Sequence, residues 1–258
     1  MKKHISFSEL KIWNECPYKH KLVYIDKVKN FLGNEYTAFG TAIHHVCEKA
    51  VIDEKTNLLE TFNYKFLEEI KLLTEKNVEI KKDLIRNMRK QGEELLSHIL
   101  PALKETFPKF EVFSVEEMLY EPIEENDVKF KGYIDLVLKT PNGKYHVIDW
   151  KTCSWGWDSR KKVDRMITYQ LTLYKHFFAR KHNIDFNDIN THFALLKRTA
   201  KNNKVEIYQV PNGKIKTKNA LNLLYGSLYN VKNNKFIKNK LSCTQGYGCE
   251  FYKTEHCK

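Results

Sequence analysis

Two short acidic motifs lie on neighbouring predicted strands, where they could bind a cation together. Asp135 ends the run Lys131–Asp135, and Asp149 begins the triplet Asp149-Trp150-Lys151. Pro141-Asn142-Gly143 lies between the two strands and suits a three-residue hairpin loop, with Gly143 in the left-handed region. In that register Asp135 lies directly opposite Asp149, and Lys151 shares their face of the hairpin.

Two carboxylates that face each other across a hairpin repel unless a cation lies between them. Carboxylate oxygens are ligands that Mg²⁺ and Mn²⁺ prefer, so the pattern predicts a site for one of these ions. A two-residue Asn-Gly turn would shift the register by one residue and place the acids on opposite faces. The alternative, two surface acids on an edge hairpin, fits poorly because both strands are apolar. The apolar positions include Ile134, Leu136, Val147 and Ile148.

The spacing of Asp135 and Asp149-Trp150-Lys151 resembles the PD-(D/E)XK nuclease motif in its RecB-type form. Ile134 stands where that motif usually has a proline. The run Gly40–Glu48, with His44 and Glu48 one helical turn apart, resembles the helix that precedes the sheet in this branch. Gln170 and Tyr174, also one turn apart, resemble its Q-x-x-x-Y signature.

The resemblance implies a site that holds one or two Mg²⁺ or Mn²⁺ ions. Lys151 would align the attacking water or stabilise the negative charge that develops in the reaction. The expected metal ligands are His44, Asp135, Asp149 and the carbonyl of Trp150. The expected supporting and DNA-binding residues are Glu48, Glu116 or its neighbour Glu117, Gln170, Tyr174, Lys197 and Arg198. We expect no role for His45.

The two ends of the chain resemble the iron–sulfur members of this branch, such as AddB-like and CRISPR-associated exonucleases. Ser6–Leu10 and Cys16-Pro17 match their N-terminal motif, and three late cysteines follow at the other end. The resemblance implies that four thiolates hold a [4Fe–4S] cluster and tie the chain ends together. Because the late cysteines are spaced differently from the family pattern, structural Zn²⁺ and unligated thiols are the alternatives. The four residues are Cys16, Cys243, Cys249 and Cys257.

Composition and charge agree with a folded protein that binds a polyanion. The 258 residues are 42% hydrophobic and 29% charged, which excludes wholesale disorder. The formal net charge of +12 favours nucleic acid as a partner, although a lysine-rich solvated surface is the alternative. We find no apolar run of the ~18 residues that a membrane span needs, and no signal peptide. We therefore expect a cytoplasmic protein without membrane partners.

The order of predicted elements indicates a mixed α+β fold with helices on both sides of a sheet. We predict a single nuclease domain over 1–258, with an inserted helical lobe at 51–107, a catalytic sheet core at 108–210 and a Cys-rich tail at 241–258. Predicted helices span 6–21, 41–50, 56–107, 164–181 and 217–232. Predicted strands span 110–122, 128–139, 145–153, 191–198 and 204–210. The resemblance implies a restriction-endonuclease-like central mixed sheet.

The function implied by the resemblance is that of a metal-dependent DNA nuclease. The resemblance also favours exonuclease action on DNA ends over site-specific cutting, and we find no recognition module in the sequence that would argue for the latter. The alternatives are a non-catalytic DNA-binding or assembly subunit and an RNA-directed nuclease. The sequence has no helicase phosphate loop, so strand opening would come from frayed ends or from a partner, such as a helicase or a recombination or replication protein.

Overall fold

The structure is a computed structural model that describes residues 3–28, 31–124, 126–246 and 248–257. The chain forms two compact units. The terminal unit contains Met1–Phe31, Tyr120–Gly132 and Gly213–Lys258, and the central unit contains Leu32–Leu119 and Tyr133–Asn212. All the residues predicted to bind the metal lie in the central unit, whereas the four cysteines of the predicted cluster lie in the terminal unit.

The elements follow the predicted order of helices, strands and helices. The helices are α1 (Phe7–Glu15), α2 (Pro17–His20), α3 (Glu35–Ile52), α4 (Leu58–Glu75), α5 (Lys82–Leu96), α6 (Ile99–Thr106), α7 (Ser159–Val163), α8 (Arg165–His182) and α9 (Lys214–Lys232). The strands are β1 (His4–Ser6), β2 (Glu111–Pro122), β3 (Lys129–Lys139), β4 (Tyr145–Cys153), β5 (Ile189–Lys197) and β6 (Val205–Gln209). Across the described ranges, we find no helix with the length and apolar character that a membrane crossing requires.

The strands form a mixed sheet, as predicted. In the central unit β3 and β4 are antiparallel, β4 and β5 are parallel, and β5 and β6 are antiparallel. In the terminal unit the three residues of β1 pair in parallel with the first residues of β3. Strand β2 pairs with β3 as well. The predicted mixed α/β fold is therefore confirmed.

The β3–β4 hairpin has the predicted three-residue loop. The backbone N–H of Thr140 donates to the carbonyl of Lys144 at 2.9 Å, and Gly143 has a φ of +78°. The ladder then runs from Lys139 opposite Tyr145 to Leu136 opposite Ile148. One further step in the same register places Asp135 opposite Asp149, as the sequence predicts.

One hydrophobic core in the central unit joins α3 to α6 with strands β3 to β6. Phe62 and Phe66 of α4 stack with ring centroids 5.5 Å apart, and both meet the edge of Phe39 in α3. Gly92 of α5 makes room for this group, because a Cβ atom there would lie 2.2 Å from the ring of Phe62. The core thereby fixes α3, the helix that carries His44, against the sheet.

Several element boundaries differ from the sequence predictions for local reasons. α3 begins six residues before the predicted start, because Asn34 and Thr37 form a capping box at its N-terminus. The predicted helix 56–107 is three helices, and Pro101 lies in the first turn of α6, where a proline is tolerated. Residues 4–6 form β1, and Ser6 then caps α1 by accepting the N–H of Glu9.

Candidate active site

The two opposed acids have different surroundings. The carboxylate of Asp135 accepts a hydrogen bond from the backbone N–H of Trp150 at 2.7 Å, just beyond the last paired residues of the hairpin. Asp149 is only 2% exposed. Burial raises the pKa of Asp149 to about 6, with the charge of Asp135 acting in the same direction and the Lys151 ammonium acting against it. Burial therefore destabilises the charged form of Asp149 by more than the Lys151 ammonium stabilises it.

Lys151 provides the positive charge nearest to the buried acid. Its Nζ lies 2.5 Å from Oδ2 of Asp149. The same ammonium lies 5.9 Å from the centroid of the Phe193 ring, on the adjacent strand β5. Asp149 and Lys151 are two residues apart on β4, so their side chains project from the same face of the strand. The predicted grouping of Asp135, Asp149 and Lys151 is thus found in the structure.

α3 brings an imidazole to the acids. Nδ1 of His44 lies 3.6 Å from Oδ1 of Asp135. Burial lowers the pKa of His44, but the interaction with Asp135 outweighs it and the net pKa is raised. Glu48, one turn further along α3, lies near His45 and Lys49, with closest N–O distances of 3.6 and 3.4 Å. The sequence expectation that His44 faces the hairpin acids agrees with this geometry.

Strand β2 contributes Glu116 and not Glu117. Glu116 has a φ of +46°, an uncommon left-handed conformation within a strand. Burial raises the pKa of Glu116, the charge of Asp135 adds to the effect, and His44 opposes it. Glu117 instead pairs with Lys181 and His182 of α8. The sequence left the choice between these two acids open, and the structure places Glu116 beside the candidate site.

An open cleft of about 430 Å³ gives solvent access to these groups. It is lined by Gly40, Thr41, His44, His45, Glu48, Lys65, Glu116 and Asp135. Sequence analysis assigned no role to His45, although its i, i+3 spacing to Glu48 could have indicated a shared helix face. Lys65 comes from α4, and nothing in the sequence relates that helix to the hairpin.

Gln170 and Tyr174 of α8 lie on the buried side of the site. Nε2 of Gln170 donates to the Tyr174 hydroxyl at 3.2 Å. Burial raises the pKa of Tyr174 above its ordinary range, and the charge of Asp149 adds to the increase. Because Tyr174 is buried, its position argues against direct contact with a DNA backbone.

The two candidate phosphate contacts, Lys197 at the end of β5 and Arg198 directly after it, have different side-chain partners. Lys197 is buried, and its Nζ lies 3.2 Å from a carboxylate oxygen of Glu206. Arg198 donates to the side-chain oxygens of Gln91 and Ser154, at 2.7 and 3.0 Å. Both of these acceptors are neutral. Arg198 therefore keeps a positive charge that could meet a phosphate, whereas Lys197 shares the Glu206 carboxylate with Lys162.

The side chains of Asp135, Asp149 and His44 suit a hard divalent cation, because they combine two carboxylates with one imidazole. A cation would also stabilise the charged form of the buried Asp149. Even so, no group of three or more His, Cys, Asp or Glu side chains in the described residues is placed to hold a metal ion as it stands. Each acid already has a partner, since Lys151 pairs with Asp149 and the Trp150 N–H bonds to Asp135. Metal binding would require Lys151 to release Asp149.

The predicted cysteine cluster has no support in the structure. Cys16 and Cys243 both contact the backbone of Asn239, at Sγ–N 3.3 Å and Sγ–O 3.9 Å, respectively. The cysteines are all free thiols, and the described part of the chain contains no metal-binding group. Burial raises the pKa of Cys249, which favours a neutral thiol over the thiolate that binds metals. We therefore do not retain the [4Fe–4S] prediction, and Tyr247 of the predicted tail lies outside the described residues.

Comparison with known proteins identifies the family. A crystal structure of a "Putative exonuclease" from Eubacterium rectale is similar over 94% of this chain and 86% of its own, with 12% identity and a TM-score of 0.58. The structure of SSO0001 shares 16% identity over 86% of this chain and 85% of its own, but its TM-score of 0.35 is too low to compare folds. A search of curated proteins gives no match. The PD-(D/E)XK nuclease superfamily model matches residues 4–245, and the chain therefore belongs to this superfamily.

Proposed function

We propose that the protein is a metal-dependent DNA nuclease that acts on DNA ends as an exonuclease. The observation that carries this proposal is the pairing of buried Asp149 with Lys151, directly beside Asp135 and His44. A fold gains no stability from a buried carboxylate whose pKa is raised by burial, so such a group indicates a functional site.

Asp135, Asp149 and His44 are the proposed ligands of Mg²⁺ or Mn²⁺, the ions that nucleases of this superfamily generally use. Such an ion would lower the pKa of a water molecule and neutralise charge on the scissile phosphate. Glu116 lines the same cleft as Asp135 and is the proposed outer oxygen ligand. The predicted role of the Trp150 carbonyl stays a prediction.

Lys151 is the proposed source of electrostatic stabilisation. An ammonium has three N–H donors, and release from Asp149 on metal binding leaves them for an attacking water or for a phosphate oxygen that gains charge. Before the ion binds, the 2.5 Å contact with Asp149 keeps this ammonium within the site. Gln170 and Tyr174, which are hydrogen-bonded to each other on α8, are the proposed supporting residues.

Two observations support DNA ends as the substrate. The net charge of +12 favours a polyanion, and the structural relative from Eubacterium rectale carries the name of an exonuclease. The cleft beside Asp135 is open to solvent, as a site for an extended strand must be. A helicase or a recombination or replication protein as a further partner stays a prediction.

The proposal is tested with end-labelled linear single-stranded DNA, linear duplex DNA, covalently closed circles and RNA, each with Mn²⁺, Mg²⁺ or a chelator. We expect metal-dependent loss of linear DNA while circles stay intact. Cleavage of circles would refute exonuclease action, and preferential cleavage of RNA would refute DNA as the substrate. Absence of cleavage with every substrate would refute the proposed nuclease activity.

Neighbouring acids on β2 provide a matched pair of variants. Glu116→Gln should lower the cleavage rate, because Glu116 lies beside Asp135. Glu117→Gln should leave the rate unchanged, because Glu117 pairs with Lys181 and His182 of α8. Asp135→Asn should abolish cleavage. Equal activity of the two Gln variants would remove Glu116 from the site.

A further inference from the structure

One face of α3 runs from the acidic site to the C-terminal end of β4. Tyr36, Gly40 and His44 follow one another at i, i+4 spacing, so they share this face over about 12 Å of helix. His44 lies beside Asp135. A Cβ atom at Gly40 would lie 3.5 Å from the hydroxyl of Thr152 near the end of β4, and the ring of Tyr36 lies 5.3 Å from the Arg198 guanidinium.

Arg198 is held in a fixed position at the far end of this face. Its two terminal guanidinium nitrogens, Nη1 and Nη2, donate to Gln91 and Ser154, and its backbone N–H donates to the carbonyl of Cys153. In the parts of the chain that the structure covers, no carboxylate lies within 4.0 Å of this guanidinium. By contrast, the nearby Lys204 pairs with Glu94 at 3.0 Å. A planar cation that is immobilised by neutral partners keeps its charge for a phosphate and its face for an aromatic group.

Trp155 lies next in sequence to Ser154, which contacts Arg198. Its side chain is 75% exposed, and Tyr36 is 51% exposed. Gly156 follows with a φ of +122°, and Trp157 then packs its ring edge-on to Phe193 at 5.2 Å. The turn therefore anchors the indole of Trp157 in the protein and leaves that of Trp155 in solvent, one residue after the Ser154 that accepts a hydrogen bond from Arg198.

We infer that Tyr36, Arg198 and Trp155 form a stacking platform for single-stranded nucleic acid, an inference that rests on the proposed nuclease function. Exposed aromatic rings stack on unpaired bases, and an arginine whose side-chain partners are neutral binds the backbone or stacks on a base. Bases inside a duplex are already stacked on both sides, so only the outer faces of the two terminal base pairs are free. The platform therefore selects an unpaired segment and leads it along α3 towards Asp135.

The inference is tested by binding, with cleavage prevented by a chelator. Fluorescence anisotropy measures the dissociation constant for an unstructured single-stranded DNA oligonucleotide and for the same sequence in a blunt duplex. Trp155→Ala and Tyr36→Ala should each weaken single-strand binding about 5- to 150-fold, the effect of losing one base stack. Duplex binding should change little. Trp155→Phe and Tyr36→Phe retain a ring and should restore most of the affinity.

The control is Tyr64→Ala, which removes an aromatic ring that is 72% exposed on α4. It should leave single-strand affinity unchanged. Arg198→Gln should reduce the slope of the logarithm of affinity against the logarithm of salt concentration by about one, the effect of losing one phosphate contact. Trp155→Ala should leave this slope unchanged.

Two outcomes would overturn the platform. One is wild-type single-strand affinity in both alanine variants. The other is equal weakening of single-strand and duplex binding, which would mean that these residues do not bind base faces. Failure of the proposed function is separate, because it would appear as absence of metal-dependent cleavage by the unaltered protein while the binding differences persist.

Discussion

Replacement of Asp149 by Asn should stabilise the metal-free protein while it abolishes cleavage. Asp149 is buried, and burial raises its pKa from 3.8 to about 6. The folded state thus binds this proton more tightly than the unfolded state, so the charged carboxylate destabilises the fold progressively as the pH rises from 3.8 to 6. The difference of 2.2 pH units corresponds to about 3 kcal/mol above pH 6.

This value already includes the favourable ion pair with Lys151, because that ion pair acts to lower the pKa. Asn has nearly the shape of the protonated acid, so it should recover much of the difference. Thermal unfolding in a chelator at pH 7.5 should show a midpoint about 6–12 °C higher for Asp149→Asn, at about 2–4 °C per kcal/mol for a chain of this size. At pH 4 the two proteins should unfold at nearly the same temperature.

Asp135→Asn is the matched control, because it changes the opposed acid whose carboxylate already accepts the Trp150 N–H. It should give no comparable gain, since it weakens a charge-assisted hydrogen bond. Mn²⁺ should raise the unfolding midpoint of the unaltered protein and of neither variant. An Asp149→Asn protein that is less stable than the unaltered one at pH 7.5 would refute the electrostatic reasoning.

Three further predictions concern catalysis, packing and pH. Lys151→Ala should slow cleavage by about 10²–10³-fold while calorimetry still detects metal binding, and a comparable loss of metal affinity would contradict this role. Gly92→Ala should destabilise the protein by about 1–3 kcal/mol in urea unfolding, because its Cβ would lie 2.2 Å from the Phe62 ring. Gly226→Ala in α9 should be neutral or stabilising, because among the described residues an added Cβ would meet no atom within 4 Å outside its own helix turn. Burial lowers the pKa of His192 to about 3, so stability should fall by about 1.4 kcal/mol per pH unit below pH 6.5, and His192→Asn should remove that decline in urea unfolding.

The hairpin was the part of the fold that local sequence determined most fully. Pro141-Asn142-Gly143 specifies the loop length, and loop length alone sets which residues face each other across the two strands. For that reason the opposition of Asp135 and Asp149 followed from a few residues. The helices were predicted from apolar periodicity, whereas their ends depended on caps such as Asn34.

The parts that sequence could not give depend on contacts between distant elements. The choice between Glu116 and Glu117 is set by a left-handed residue within β2, which no periodic pattern reveals. Lys65 reaches the cleft because α4 packs on α3. The partners of Lys197 and Arg198 likewise depend on the fold: Lys197 pairs with Glu206, whereas Arg198 donates to neutral side chains.

The hydrogen bond from the Trp150 amide to Asp135 gives the protein a built-in spectroscopic probe. An amide proton that is bonded to a carboxylate is sensitive to the electron density on that oxygen, and this one lies within the candidate site. A cation that draws charge from Asp135 would weaken the bond and move the Trp150 amide resonance upfield. Titration of a ¹⁵N-labelled sample with diamagnetic Mg²⁺ would thus follow occupancy at a single backbone position, without any substrate present.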